Sequence, residues 1–493
     1  MPAGPIFAVA WFSQPPTANR QHLPRMPFAR ILRSSALMGG AQVVVLAAGF
    51  VRAKAIALIL GASGIGLIGI FNAFSGNIAT FAGWGLGTSG VRLIAGASEE
   101  EKPAKVAAVR RMGWALSLLG LALGLLTFWP VGTATFTAGQ YAVEMAIVAL
   151  AVPCVIASSA WSAVLQASGK IASLAKVQMV GAMAGLVLGL PAIYFWGTIG
   201  IAASIFFAAL VPAVALWRAA RAEYPSSVAS SVEVADLQQL VKLGGALMVV
   251  GWLGQLSAYL VRLAILRQEG LDAAGYYQAA FAISGSLPGF VFAAMGADFF
   301  PRVAAAKDEA EARSISEQQI QAGLLMGTPL IVVLLSLGGL CVRLLYAEDF
   351  TAAEPLLGWM AWGIFVRLLA WPLAFWLLAR GSSRTMMIIE GSTALLMTAL
   401  AVVLLSSLGL VGCAMGFAYG QVIYAGLLLL VARWRSGTWV SGRTLGWVLL
   451  CAMLCLAAQG FAGLDLAGAW PYLPACLSTA AAACLYARLI RTP

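Results

Sequence analysis

The stretches FVRAKAIALILGASGIGLIGIFNAFSG (residues 50–76) and YLVRLAILRQEGLDAAGYYQAAFAISG (residues 259–285) align without a gap at an offset of 209. Gly61 falls on Gly270, Gly66 on Gly275, and Ser75-Gly76 on Ser284-Gly285. Ala55-Ile56 falls on Ala264-Ile265, and upstream Arg33 falls on Lys242. In each copy an apolar segment runs through a glycine into a second apolar segment. The chain therefore reads as a duplication whose two copies start on the same side of whatever they cross.

What they cross follows from composition. Hydrophobic residues make up 61% of the 493 residues and charged residues only 10%. A soluble domain could not bury that much apolar surface. Stretches of ~20 apolar residues at 1.5 Å rise cross a ~30 Å hydrocarbon core. About fourteen such spans can be read: 34–60, 64–88, 112–133, 141–166, 171–195, 198–217, 240–266, 273–300, 319–345, 355–379, 384–407, 409–432, 444–462 and 467–488. The fold class is all-α and polytopic.

The net charge of +11 is a topology signal, since its distribution alternates from loop to loop. One set of loops holds Arg20, Arg25, Arg30 and Arg33, then Arg92, Lys102, Lys105, Arg110 and Arg111, then Lys170, Arg218, Arg221 and Lys242. It continues with Arg302, Lys307 and Arg313, Arg380 and Arg384, Arg433, Arg435 and Arg443, and Arg488 and Arg491. The opposite set holds little beyond Arg267 and Arg343. The positive-inside rule then places both termini in the cytoplasm, and nucleic acid is not an expected partner.

A parallel repeat implies two pseudo-symmetric six-helix bundles around a central cavity. The expected divisions are a disordered cytoplasmic tail (1–28), an N-terminal bundle (29–218), a cytoplasmic linker (219–239), a C-terminal bundle (240–435) and an appended two-helix hairpin (436–493). The Pro-rich start has the wrong flanks for a signal peptide, and Met26 is an alternative beginning. Glycines crowd GWGLGTSG (83–90), and Pro153, Pro191, Pro212, Pro288, Pro329 and Pro372 interrupt spans, as membrane packing or as hinges.

The charges hardest to explain by loops are Arg52, Lys54, Arg262, Arg367 and Glu390. Arg367 sits near the middle of LLGWMAWGIFVRLLAWPLAFWLLAR (356–380). A guanidinium at that depth is unfavourable by several kcal/mol unless something pairs with it. Lys54 and Arg262 lie nearer span ends, where snorkelling is an alternative. Arg52 and Lys54 are two residues apart, ~200° around a helix, so only one can point squarely inward. Arg52 is the preferred one. Cations facing a dry path suit a diphosphate, because charge-assisted hydrogen bonds to phosphate are strong and arginine matches its geometry. Glu390 is the expected charge partner of Arg367 or a coupling group. Asn72, Asn77, Gln255, Tyr259, Gln278, Trp362 and Trp371 are candidates for a path that sugars follow, with helix–helix bonding and packing as the plainer alternatives.

No HExxH, Cys/His cluster or GxxxxGK[ST] loop occurs, and the only histidine is His22. The seven cysteines read as small hydrophobes. No catalytic residue, metal or cofactor is therefore expected.

Four stretches and one opening carry a family resemblance. They are VRAKAIALILGASGIGLIGIFNAF, GLDAAGYYQAAFAISG, ADFFPRVAAAKDEAE and LLYAEDFTAAEPLLGWMAWG, with LARGSSRTMMIIEGST opening the eleventh span. In their order and spacing, over roughly residues 26–435, the chain resembles the Wzx-type flippases for lipid-linked oligosaccharides. These belong to the superfamily that also holds multidrug antiporters and lipid II flippases. The resemblance implies movement of an undecaprenyl-diphosphate-linked glycan from the cytoplasmic to the outer leaflet of a bacterial inner membrane, for O-antigen or exopolysaccharide synthesis. It implies a basic residue late in the first span (Arg52 or Lys54), an arginine late in the seventh (Arg262) and an acid early in the eleventh (Glu390). H+ or Na+ is the implied coupling ion, and polymerase and chain-length proteins are the implied partners. The appended hairpin departs from the twelve-span pattern and keeps a lipid II flippase open. A cation-coupled drug exporter would want acidic cavity residues, and a membrane glycan polymerase would want catalytic groups that the chain lacks.

Overall fold

The computed structural model describes residues 28–136, 139–225, 233–437 and 440–462. The expected tail with His22 and Met26, the centre of the linker and the span 467–488 lie outside them.

The described residues form helices and no strands. In chain order these are α1 (Phe28–Ala82), α2 (Leu86–Ala95), α3 (Lys102–Thr135), α4 (Ala142–Ala167), α5 (Ile171–Val187), α6 (Gly189–Trp196) and α7 (Thr198–Glu223). They continue with α8 (Val234–Ala304), α9 (Glu309–Ser336), α10 (Gly338–Leu345), a 3-10 turn (Glu348–Ala352), α11 (Ala353–Ala379), α12 (Ser383–Ser436) and α13 (Gly442–Ala462). Among the described residues, ten helical segments are long and apolar enough to cross a membrane. The protein is a multi-pass membrane protein.

The three longest helices are each broken by one glycine in the left-handed region: Gly61 in α1 (φ 67°), Gly270 in α8 (φ 90°) and Gly409 in α12 (φ 64°). Gly61 and Gly270 are the residues that the repeat superimposes. Gly197, between α6 and α7, has φ 55° and makes the same kind of break. Any other residue there would be strained by about 1–2 kcal/mol.

Three of these breaks share a second glycine three residues on: Gly61 and Gly64, Gly197 and Gly200, Gly409 and Gly412. A Cβ on Gly64 would lie 3.0 Å from Ile56, on Gly200 2.2 Å from the Ala192 carbonyl oxygen, and on Gly412 2.1 Å from the Leu404 carbonyl oxygen. Residues eight apart in a straight helix are about 12 Å apart along the axis. The chain therefore folds back at each GxxG, and the second glycine lets the arms meet. The two arms of α12 stay together far from the turn, where Gly420 lies against Met397 and Gly416 against Ala401.

The duplication reaches the hydrogen bonds. After α4, Lys170 N–H donates to the Leu165 carbonyl (2.9 Å) and Gly169 N–H to Gln166 (3.0 Å). After α11, Ser382 N–H donates to Leu377 (3.2 Å) and Gly381 N–H to Leu378 (3.0 Å). Both are Schellman caps, with Gly169 at φ 71° and Gly381 at φ 74°. The offset is 212, the offset that also relates Gly197 to Gly409. The close crossings follow it too: Gly189 meets Ser204 where Ala401 meets Gly416, and Gly185 meets Ala208 where Met397 meets Gly420. In each pair the glycine has changed arms while the crossing has stayed.

The described residues divide into two compact units, a first that ends at Arg267 and a second that begins at Gln268. The division falls inside α8, just before Gly270, so the first arm of α8 packs with the first unit.

In the first unit α3 and α4 pack through small residues. Cβ atoms on Gly113, Gly120 and Gly124 would lie 2.7, 2.4 and 3.2 Å from Ala160, Ile156 and Ala149. Such contact matters because lipid tails are as apolar as leucine, so only close packing and polar bonds favour helix association. A cluster of Leu86, Ile94, Val109, Trp161, Val164, Leu216 and Leu240 closes one end. There the chain turns through Gly83-Trp84-Gly85. Trp84 takes an uncommon left-handed backbone (φ 49°), and its indole donates to the Val241 carbonyl at 3.0 Å.

In the second unit α11 is the most buried helix, lying against α9 and α12. Trp371 stacks on Phe375 at 4.0 Å and tilts against Phe299 at 5.9 Å. The helix α13, expected as an appendage, is tied into this unit. Ser441 donates to Glu317, and so does Thr444 at 3.0 Å. Gln321 reaches Thr444 at 2.9 Å, and the Trp362 indole donates to Gln459 at 2.8 Å.

Candidate functional site

The deep cations fall into two groups. Arg52 lies on the buried face of the first arm of α1, one turn from Ala48 and one turn from Ile56, both buried. Its Nη1 sits 3.1 Å from where a Cβ of Gly185 would be. The side chain is half-buried, and its guanidinium has no hydrogen-bond or ion-pair partner among the described residues. Lys54 lies on the opposite side of that arm, toward the exposed Val43 and Leu58, and is engaged with a neighbour. Arg52 and Lys54 thus stand on opposite sides of this arm, with Arg52 on the one that carries Ala48 and Ile56.

Arg262 on α8 is 6% exposed, and its Nη1 donates to the Ala258 carbonyl one turn back at 2.8 Å. Its charge is already engaged by its own helix.

Arg367 on α11 is half-buried and, like Arg52, has no hydrogen-bond or ion-pair partner among the described residues. One turn earlier, Gly363 lets α11 close on Phe417 and Ala418 of α12, where a Cβ would lie 2.6 Å from Phe417. This brings Arg367 within electrostatic range of Tyr424. The expected pairing of Glu390 with Arg367 is corrected. The Glu390 carboxylate takes the Tyr424 hydroxyl at 2.6 Å instead. The reason is the fold-back at Gly409, which sets Tyr424 on the second arm of α12 opposite Glu390 on the first.

Of the expected sugar-path residues, several serve packing. Asn77 donates to the carbonyls of Ala73 (2.9 Å) and Gln255 (3.0 Å), and the Gln255 amide fills the space above Gly76. Tyr259 and Thr135 share a hydrogen bond of 2.6 Å. Trp362 holds α13, and Trp371 is 3% exposed within its aromatic stack. Asn72 and Gln278 are half-buried, and Gln278 has a partner of its own. The structure therefore offers Asn72 as the amide of this group with no assigned packing role. Sequence reasoning missed Tyr424 and Gly185, which differ in no visible way from other residues of apolar helices.

Chemically, an arginine without a partner in an apolar helix bundle can receive an oxyanion. Its planar fork offers parallel N–H donors, and the low dielectric strengthens whatever it binds. Among the described residues no group of His, Cys, Asp and Glu could hold a metal ion.

Comparisons with known proteins bear on the fold and the family. A lipid II flippase, MurJ, in an inward closed conformation matches with a TM-score of 0.73 and 14% identity, over 93% of this chain and 100% of that one. A multidrug resistance MATE family transporter of the MOP superfamily, inward-facing, matches with a TM-score of 0.65 and 15% identity, over 80% and 94%. A MOP superfamily transporter from Pyrococcus furiosus, described for the reverse polarity of its binding pocket, matches with a TM-score of 0.58 and 15% identity, over 82% and 95%. At such identities the likeness is one of fold. No curated protein sequence matches the chain. Residues 31–307, more than half of the chain, match the polysaccharide biosynthesis protein family. The sequence match over residues 31–307, on a helical membrane fold like that of these transporters, makes the chain a member of the polysaccharide biosynthesis protein family.

Proposed function

We propose that this protein is a flippase that carries a polyprenyl-diphosphate-linked oligosaccharide from the cytoplasmic to the outer leaflet of a bacterial inner membrane, for surface polysaccharide synthesis. The observation that carries the reading is the pair of deep arginines, Arg52 and Arg367, whose guanidinium groups have no hydrogen-bond or ion-pair partner among the described residues. A diphosphate must cross a region where bare charge is prohibitive. Fixed cations replace its lost hydration, and they must release it afterwards. Glu390, held by Tyr424, is the acid through which a coupling cation, H+ or Na+, would act. Arg262 is a weaker candidate ligand because its own helix already engages it. The reading keeps fourteen crossings, two six-helix bundles and cytoplasmic termini.

The test is complementation of a strain that lacks its oligosaccharide flippase, with protein levels checked by blot. Arg52→Ala and Arg367→Ala are expected to abolish surface glycan at normal expression. Full export by both variants would defeat the reading. A lipid II flippase is the second reading, favoured by the match that spans all of the MurJ chain and 93% of this one. Rescue of a strain depleted of its lipid II flippase would select it.

A further inference from the structure

Three glycines, Gly181, Gly185 and Gly189, line one face of α5 and α6 where these helices cross α7. At the outer two the nearest neighbours all belong to α7. A Cβ on Gly181 would lie 2.3 Å from Pro212, and one on Gly189 would lie 2.7 Å from the Ser204 Cβ. Gly185 differs. Its Cβ would lie 3.1 Å from Ala208 and also 3.1 Å from Nη1 of Arg52 on α1. The space left by the missing methyl is where the guanidinium rests.

The duplication supplies an internal control. At offset 212 the Gly185–Ala208 crossing corresponds to Met397–Gly420. There the small residue stands on the other arm, and the Met397 side chain fills the crossing, 2.2 Å from where a Gly420 Cβ would be. Closing the crossing needs one small residue on either arm. Placing it on the α5 arm is what leaves a notch open toward Arg52. A methyl there would have to push either Ala208 or the guanidinium. The arginine is the softer neighbour, because a long side chain changes rotamer more easily than two packed backbones separate.

We infer that Gly185 is a positioning residue: it seats the Arg52 guanidinium in the orientation that receives the substrate's diphosphate. This rests on the reading of Arg52 as a phosphate ligand. Gly185 itself touches no substrate. It fixes the direction of the fork, and a bidentate contact with phosphate depends on that direction.

The experiment uses the full chain in nanodiscs, with farnesyl diphosphate as the probe and binding followed by thermophoresis. Gly185→Ala is expected to weaken binding roughly tenfold, as when one charge-assisted hydrogen bond loses its alignment. Gly189→Ala, which tightens the same helix pair without reaching Arg52, is expected to lower the thermal midpoint and leave affinity unchanged. Gly185→Ala combined with Ala208→Gly removes the clash with α7 and keeps the one with Arg52, so its loss of affinity persists in a stably folded protein. In an Arg52→Lys background the Gly185→Ala change is expected to add little, because a compact ammonium has no planar fork to misalign. Wild-type affinity in Gly185→Ala/Ala208→Gly, with loss in Arg52→Ala, would overturn the inference and leave the function standing. Unchanged affinity in Arg52→Ala would remove the phosphate-ligand reading itself.

Discussion

Lys105 on α3 and Asp236 on α8 meet at 2.6 Å across 131 positions of sequence, and Asp236 is only 3% exposed. The second carboxylate oxygen of Asp236 is buried without a hydrogen-bond partner. The pair clamps the start of α8 to the start of α3, beside the Trp84–Val241 bond. Removing one member of a buried pair leaves an uncompensated charge, and here Lys105 keeps some contact with water, which softens the loss. Asp236→Asn is expected to destabilise the first unit by roughly 1–3 kcal/mol. Thermal unfolding in detergent measures it, and a midpoint equal to wild type would show the clamp to be idle.

The GxxG fold-backs predict a sharp contrast among glycines. Gly412→Ala places a methyl 2.1 Å from a backbone oxygen, and that oxygen cannot rotate away. Loss of folded protein is expected. Gly426→Ala, on the same helix with open space around it, is expected to be neutral or stabilising by about 0.5–1 kcal/mol. Size-exclusion profiles of the two variants at matched expression decide it. A monodisperse Gly412→Ala protein would mean that the fold-back tolerates a wider turn.

The pairing of Glu390 with Tyr424 predicts a conditional defect. Without the hydroxyl, the carboxylate is free to turn to Arg367 and neutralise it. Tyr424→Phe is expected to reduce glycan export roughly tenfold, the scale of a hydrogen bond to a charged group. Adding Glu390→Gln is expected to restore export, because the competitor for Arg367 is then gone. A double variant as poor as the single one would show that Tyr424 acts by another route.

The ties between α13 and the second unit predict that the chain cannot be trimmed to a twelve-span core. Truncation after residue 440 would remove Cys451, Cys455 and Ala458, all buried in the folded protein, and leave Glu317 without the Ser441 and Thr444 donors. The yield of folded protein is expected to fall. Glu317→Ala in the full chain is expected to lower the thermal midpoint in the same direction. Normal yield of the truncated protein would return α13 to the role of an appendage.

Much of the backbone was legible before the structure, and for a clear reason. Span length is set by bilayer thickness, and the turns between spans are marked by glycines that alone accept a left-handed backbone. The superposition of Gly61 on Gly270 therefore picked out two breaks directly. Side-chain partners were not legible. A helix that is apolar all round has no periodic face to show which side meets protein and which meets lipid. Glu390 was assigned to Arg367 because opposite charges invite pairing. The fold-back at Gly409 supplied a hydroxyl from 34 residues away that no spacing rule points to. The amides of Asn77 and Gln255 and the hydroxyl of Tyr259 read equally well as a wet path or as helix glue. In this structure they are glue.

The GxxG turns have a practical consequence. At Gly61, Gly197 and Gly409 one residue separates consecutive helices, and all three lie opposite the basic loops in the topology proposed above. No loop projects at these three turns. A protease, a glycosylating enzyme or an antibody arriving from that side finds no slack chain to grip at these three points. An epitope inserted there would break the hairpin that displays it, so reporter tags belong on the opposite face.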